Sequence, residues 1–247
     1  MDLQQKEQLI NSWEHFFPGA ELPIFWRYAE SPEDTPLLPP PEGWRCLVAQ
    51  LTTIRHGKSF CFSSDSITCR GGSRFTGYAN TMPPGHNCFL SHAEDGSGER
   101  YIQTPEMADL YFHSIETLPR RGDYIIMKRL DALVEGEIPD VVCCFVTPDV
   151  LSGLFTLAQF ERLEEDSVIT PFGAGCSSLI YYPYRECLNG KNRAIIGLFD
   201  PSARKCIKEN ILSFSVPYKR FEEMAKNMNE SFLITHAWGI LQKRMVK

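Results

Sequence analysis

The chain has 247 residues, a length typical of one domain and sufficient to bury a hydrophobic core. Hydrophobic residues make up 43% and charged residues 23% of the sequence, a balance that argues against global disorder. The formal net charge of −6 disfavours a general nucleic-acid binder or a protein of anionic membrane surfaces. We therefore expect neither a nucleic acid nor a membrane as a partner.

The N-terminal sequence MDLQQKEQLINSWEHFF is polar and lacks the apolar stretch of a signal peptide. No apolar run approaches the roughly 20 residues needed to span a bilayer, so the protein is predicted to be cytoplasmic. The nine cysteines are odd in number and include no C-x-x-C pair. This pattern disfavours a disulfide framework, a zinc ribbon and a thioredoxin-type site.

Hydrophobic periodicity and turn residues predict the secondary structure of the first half of the chain. In order, these elements are a helix over 3–17, a Pro-rich extended crossing segment over 33–43, strands over 45–54 and 59–68, an irregular stretch over 82–98, a helix over 104–118 capped by Thr104, and a strand over 124–133.

The second half is predicted in the same way. Its elements are a buried strand over 139–146, a helix over 149–165, an extended segment over 167–171, a glycine turn over 172–176 that opens a helix, a buried strand over 194–199, a short helix begun by Asp200 and Pro201, a strand over 212–216, and helices over 221–228 and 236–245.

Strands and helices therefore alternate, which predicts an α/β or α+β fold with one main mixed β-sheet flanked by helices. We expect a single globular domain over 45–247, preceded by a helix and a crossing segment in 1–44. An internal repeat is a further hypothesis, because Asp65 to Ser73 resembles Asp166 to Ser177 around a glycine turn. It would divide the domain into halves 45–138 and 139–247, whose glycine turns could face one another.

Several motifs together resemble a known family. They are TCRGGS at 68–73, PDVVCCFVTPD at 139–149, FGAGCSS at 172–178, DPSAR at 200–204 and FSVPY at 214–218. On these motifs the chain resembles domain of unknown function 169 (DUF169), which includes archaeal cysteine-rich members. The resemblance covers roughly residues 45–245 and implies a prokaryotic intracellular protein, with no reaction and no catalytic residue to carry over.

The turn at 172–178 is the strongest candidate for a functional site. Gly173 and Gly175 permit a tight turn, and a helix that begins near Cys176 and Ser177 would favour an anion at its N-terminus. The same field would lower the pKa of the Cys176 thiol, which could then act as a nucleophile. The structural alternative is a strand-to-helix turn around a small buried cysteine.

The turn at 68–74 is its possible counterpart. Cys69 precedes Arg70, whose guanidinium could hold a carboxylate in a two-pronged pair, and Gly71 and Gly72 would let the backbone approach a ligand. The alternative is a plain turn with solvent-facing arginines.

Three further residues have both a binding and a structural interpretation. Asp200 lies at the carboxyl end of a buried strand, where ligands bind in open sheets, but it is also a favourable helix N-cap, which we favour. Arg204 could clamp an anion. Arg185 follows Tyr181 to Tyr184 and could complete an aromatic pocket wall or cover a packed helix end.

Two metal sites are also conceivable. Cys143 and Cys144 face opposite sides of a strand, so only one of them could join Cys69 and Cys176 in a three-thiolate metal or iron–sulfur site. A second possible ligand set, suited to zinc, is His86, Cys88 and His92.

Three functional hypotheses remain open. The first is a protein that binds a small carboxylate or phosphate ligand between the two glycine turns. Such a protein could also be an enzyme with Cys176 as its reactive group. The second is a metal or iron–sulfur redox protein, and the third is an interaction domain whose cysteines only pack. Motifs for dinucleotide, P-loop, serine-hydrolase and zinc-protease chemistry are absent, and the sequence identifies no cofactor.

Overall fold

The protein is described by a computed structural model over residues 1–92 and 98–246. Its centre is a seven-stranded sheet in the order β2-β3-β1-β4-β7-β6-β5. The strands are β1 (Ile24–Ala29), β2 (Phe60–Phe62), β3 (Tyr124–Arg129), β4 (Val141–Val146), β5 (Val168–Ile169), β6 (Ala194–Gly197) and β7 (Leu212–Pro217). Neighbouring strands are antiparallel except β5 and β6, which are parallel, so the sheet is mixed and the fold is α+β.

Helices cover the sheet on both faces. They are α1 (Leu3–Phe16), α2 (Leu47–Gln50), α3 (Thr52–Arg55), α4 (Arg70–Phe75), α5 (His86–Ser91), α6 (Pro105–Ser114), α7 (Pro148–Leu157), α8 (Tyr182–Asn189), α9 (Pro201–Arg204), α10 (Tyr218–Asn227) and α11 (His236–Met245). Short 3-10 turns span Ser64–Ser66, Leu130–Ala132 and Phe232–Ile234, and a π-helical turn at Ser177–Tyr181 leads into α8.

Strand β4 shows how the two faces are separated. All six of its residues are buried, because side chains alternate between two hydrophobic layers. Cys143 lies in the layer formed with α2, α3, α4 and α8, which we call the site layer. Cys144 lies in the opposite layer with α1, α7, α10 and α11. The prediction that this pair cannot share one site is therefore confirmed.

The strand predicted over 45–54 is wrong. These residues form the short helices α2 and α3. The buried side chains are Leu47, Val48, Leu51 and Ile54, a spacing that places them on one helical face toward the sheet. A near-continuous apolar run is compatible with either a buried strand or a buried helix, and here tertiary packing selects the helix.

The irregular stretch predicted over 82–98 is also partly wrong, because it contains α5. The remainder of that prediction at residues 93–97 lies outside the described residues. Helix α7 begins at Pro148 after Thr147, rather than at a cap on Asp149, and ends at Leu157.

Strand β1 is absent from the sequence-based prediction, although it lies between β3 and β4 near the middle of the sheet. Residues 1–44 therefore supply a central strand to the sheet of the following residues. The crossing segment also joins the sheet edge, where Leu38 N donates to Cys61 O at 2.8 Å.

Two helix starts agree with their predicted caps. The Thr104 side chain accepts from Met107 N at the start of α6, and the Asp200 side chain accepts from Ala203 N at the start of α9. Within the described ranges, no helix is long and apolar enough to cross a membrane.

Candidate functional site

The two glycine turns come together at a cavity of about 920 Å³ on the site layer. The size lies within the roughly 300–1,000 Å³ typical of small-molecule sites. Eight of the residues predicted from the sequence line it, namely Cys69, Arg70, Gly71, Gly72, Gly173, Gly175, Cys176 and Asp200. The cavity therefore contains most of the predicted binding residues, drawn from three separate segments.

Contact between the turns is direct. Cys69 caps α4 by accepting a hydrogen bond from Gly72 N at 3.3 Å. A Cβ built on Gly71, one residue into that helix, would lie 3.7 Å from Cys176 Sγ. The Cys176 thiol therefore lies beside the first turn of α4.

The Cys176 thiol does not have the predicted thiolate character. Its side chain is buried, and burial raises its pKa well above the usual value, with the neighbouring Cys69, Cys46 and Asp200 adding to the shift. This direction is opposite to the one expected from a helix N-terminus. Desolvation disfavours the charged form more strongly than the helix field favours it.

Arg70 is the cationic group of the cavity. Its side chain belongs to an exposed residue, and among the described residues it forms no ion pair. The positive charge of Arg70 disfavours protonation of His86, and so adds to the effect of burial in lowering the imidazole pKa. Arg70 thus brings a positive charge to the cavity lining.

His86 is a cavity residue that the anion-site reasoning missed, because the sequence suggested only a zinc ligand there. It is 8% exposed, and its ring lies 5.5 Å from the Phe89 ring in a stacked arrangement. Burial, followed by the charge of Arg70, lowers its pKa to about 4, so the ring is neutral at pH 7. Its buried Nδ1 has no hydrogen-bond partner within the described chain.

Asp200 caps α9, as predicted, and its side chain also lines the cavity. Oδ2 accepts hydrogen bonds from Ser202 Oγ at 2.8 Å and from Ala203 N at 3.1 Å, which caps α9. Oδ1 is buried without a hydrogen-bond partner in the described part of the protein. The side chain lines the cavity beside Glu99, a residue that no sequence motif pointed to.

Aromatic side chains supply much of the remaining lining. Phe75, Phe89, Tyr111, Phe112 and Phe172 contribute to it, together with the exposed Trp44. The backbone of Phe172 is held by two tyrosines, since Tyr111 and Tyr182 each donate a hydroxyl hydrogen bond to its carbonyl at 3.2 and 2.9 Å.

Three predicted binding residues lie outside this lining. Ser177 is buried and donates to Ala174 O at 2.6 Å. Arg185, in α8, packs over the Tyr181 and Tyr182 rings, at 5.6 and 5.0 Å from their centroids. Arg204 donates to the carbonyls of Ile211 and Glu209, so it fixes a loop rather than clamping an anion.

The cysteine-based metal alternatives gain no support. Cys143 Sγ donates to Leu179 O at 3.0 Å, and Cys144 faces the opposite layer. Within residues 1–92 and 98–246, no three His, Cys, Asp or Glu side chains are placed to hold a metal ion, so His86, Cys88 and His92 do not form the ligand set considered for zinc.

Comparison with known proteins places the chain in a family. The model of DUF169, described as uncharacterised ArCR, matches residues 19–227 of 247, so the chain belongs to that family. The match includes β1 and the whole lining of the cavity. No curated protein and no solved structure matches the chain.

Proposed function

We propose that this member of the DUF169 family binds a small organic molecule in the cavity between its two glycine turns. The ligand carries a carboxylate or phosphate group at Arg70 and an apolar or aromatic body against the surrounding rings. The observation that carries the proposal is an arginine, unpaired among the described residues, at a cavity to which several aromatic side chains contribute.

The charge of Arg70 supports an anionic ligand group. A guanidinium offers a planar set of donors that matches a carboxylate or a phosphate, and such charge-assisted hydrogen bonds are stronger than neutral ones. Gly71 and Gly72 follow Arg70 in the cavity wall, so no side chain stands between the ligand and the backbone there.

The protonation states favour binding over thiol chemistry. Burial keeps Cys176 in its thiol form at neutral pH, which leaves it a poor nucleophile. The neutral His86 can offer a hydrogen bond without adding a second positive charge to the cavity.

A fluorescent probe tests the proposal directly. 1-Anilinonaphthalene-8-sulfonate (ANS) combines aromatic rings with one anionic group, and its emission rises in apolar surroundings. We expect the wild-type protein to bind ANS saturably and Arg70→Ala to bind it at least tenfold more weakly, because a charge-assisted hydrogen bond contributes roughly 1.5–3 kcal/mol.

The matched control is Arg45→Ala, which removes an equal charge from an exposed residue outside the cavity lining. This variant should bind ANS like the wild type. A partly unfolded Arg70→Ala protein would bind more ANS rather than less, so loss of structure cannot imitate the expected result. Equal ANS affinity in the wild type and in Arg70→Ala would refute the proposal.

A further inference from the structure

Resting on the proposed function, we infer that Glu99 and Asp200 form a second polar subsite in the same cavity, which takes the amine of the ligand. The ligand class is then a zwitterion, with its acidic group at Arg70 and a protonated amine between the two carboxyl groups. The inference is carried by the position of the pair and by the unpartnered oxygen of Asp200.

Asp200 is the buried member of the pair. It is 6% exposed, and its side chain lines the cavity while Oδ1 has no hydrogen-bond partner in residues 1–92 and 98–246. A buried carboxylate oxygen without a donor is costly, because its desolvation is not compensated. The cap bonds are made by Oδ2, and the backbone N–H of Gly175 lies close enough to lower the pKa of Asp200 but makes no hydrogen bond to Oδ1, which leaves this oxygen for a donor from elsewhere.

Glu99 is the more accessible member. It is half-buried, lines the cavity and lies beside Asp200 and Ser202. Its backbone N donates to Phe89 O at 2.7 Å, which ties this segment to α5. Burial raises the pKa of Glu99, and the charge of Asp200 adds to that shift.

Residues 1–92 and 98–246 supply no ion pair to these carboxyl groups. Lys205 lies close enough to lower the pKa of Glu99, yet it forms no ion pair with either acid within the described ranges. Burial also raises the pKa of Asp200. A bound amine would offset the repulsion and provide the missing donor.

Asp200 and the glycine next to Arg70 both lie near the Cys176 thiol. Gly71, next to Arg70, faces the Cys176 thiol, and the charge of Asp200 contributes to the raised pKa of that thiol. Opposite charges thus belong to one cavity, a pattern that recognises a zwitterion rather than a simple anion.

Matched probe pairs test the inference by displacement of ANS at pH 7.5. Each pair differs by one amine: L-phenylalanine against 3-phenylpropionate, and 4-(aminomethyl)benzoate against 4-methylbenzoate. The two pairs present the amine close to the carboxylate and across a ring from it. We expect the amine-bearing member of at least one pair to displace ANS at tenfold or more lower concentration.

The variants identify the source of that preference. Asp200→Asn retains a side-chain oxygen for the α9 cap while removing the charge, and Glu99→Gln has no cap to disturb. Both should reduce the amine preference at least fivefold. Asp2→Asn is the matched control, because Asp2 caps α1 by accepting from Gln5 N at 2.7 Å and lies outside the cavity lining.

Two outcomes overturn the inference. One is the absence of an amine preference in both pairs, and the other is a preference that survives in both Asp200→Asn and Glu99→Gln. If the probes without an amine still displace ANS in an Arg70-dependent manner, only the second subsite fails. If ANS binding does not depend on Arg70, the proposed function fails as well.

Discussion

At the scale of single residues, burial decides the chemistry of this cavity. A cysteine at a helix start is expected to ionise readily, but Cys176 lies among other thiols and away from water, so its pKa is raised. The sequence contains the helix start and not the depth of burial. For the same reason, His86 could be suggested from the sequence only as a metal ligand, although the fold makes it a neutral cavity residue.

The protected state of Cys176 gives the first prediction. Brief treatment with iodoacetamide at pH 7.5 should modify the exposed Cys88 and leave Cys176 unmodified, because the thiolate is the reactive form. Peptide mass spectrometry measures both sites in one sample. The same treatment in denaturant, where both thiols should react, is the control, and faster labelling of Cys176 than of Cys88 in the native protein would contradict the assignment.

His86 gives a prediction about pH. Its pKa falls from 6.5 in the unfolded chain to about 4 in the folded protein. The unfolded state therefore binds this proton first, so stability is lost as the pH drops from about 6.5 toward 4. Urea unfolding at several pH values should show a steeper loss for the wild type than for His86→Asn, and parallel profiles would show that His86 does not titrate in this way.

At the scale of elements, signals confined to a few neighbouring residues predict several helix starts, whereas signals that depend on packing do not decide the element. The caps at Thr104 and Asp200 are local and agree with the structure, although α7 begins at Pro148 rather than at the predicted cap on Asp149. The run at 45–54 forms α2 and α3 rather than a strand, because only contact with the sheet chooses between the two. The sequence indicates the two glycine turns, but their contact at Cys176 is a tertiary contact that neighbouring residues do not indicate.

The glycines of these turns give a paired prediction. A Cβ on Gly175 would lie 2.7 Å from Ala203 Cβ and 2.8 Å from Leu198 Cδ2, so Gly175→Ala should lower the free energy of unfolding by about 1–3 kcal/mol. A Cβ on Gly71 would meet Cys176 Sγ at 3.7 Å, an ordinary contact. Gly71→Ala should therefore be at least as stable as the wild type, since alanine also favours the helix. Urea denaturation measures both, and equal losses would contradict the packing described at Gly175.

At the scale of the whole molecule, contacts between distant segments build both the sheet and the cavity. Strand β1 is absent from the sequence-based prediction because Arg27 interrupts its apolar run, so the segment shows neither a continuous hydrophobic run nor an alternating pattern. The segment of Glu99 is held beside the cavity by a backbone hydrogen bond from Glu99 N to Phe89 O, and no sequence motif indicates this contact. The prediction of two related halves stays a prediction.

A buried ion pair holds α8 against the start of β6. Glu186 is fully buried and accepts two hydrogen bonds from Arg193, at 2.8 and 2.9 Å. Burial alone would raise its pKa, but Arg193 lowers the pKa overall. Glu186→Gln should reduce the free energy of unfolding by about 3 kcal/mol, because it leaves Arg193 without its buried partner.

The control for this variant is Asp166→Asn, which removes the other carboxylate bound to Arg193. Asp166 is 65% exposed, so the loss should be below about 1 kcal/mol. Urea denaturation of both proteins checks the comparison. A loss for Glu186→Gln no larger than that for Asp166→Asn would mean that the buried pair contributes little.

The most direct test of a ligand-binding cavity is a crystal structure of the protein grown with ANS. We expect the sulfonate within about 3 Å of the Arg70 guanidinium and the aromatic rings of ANS among Phe75, Phe112 and Phe172. ANS bound elsewhere on the protein, or bound in the cavity with its sulfonate away from Arg70, would contradict it.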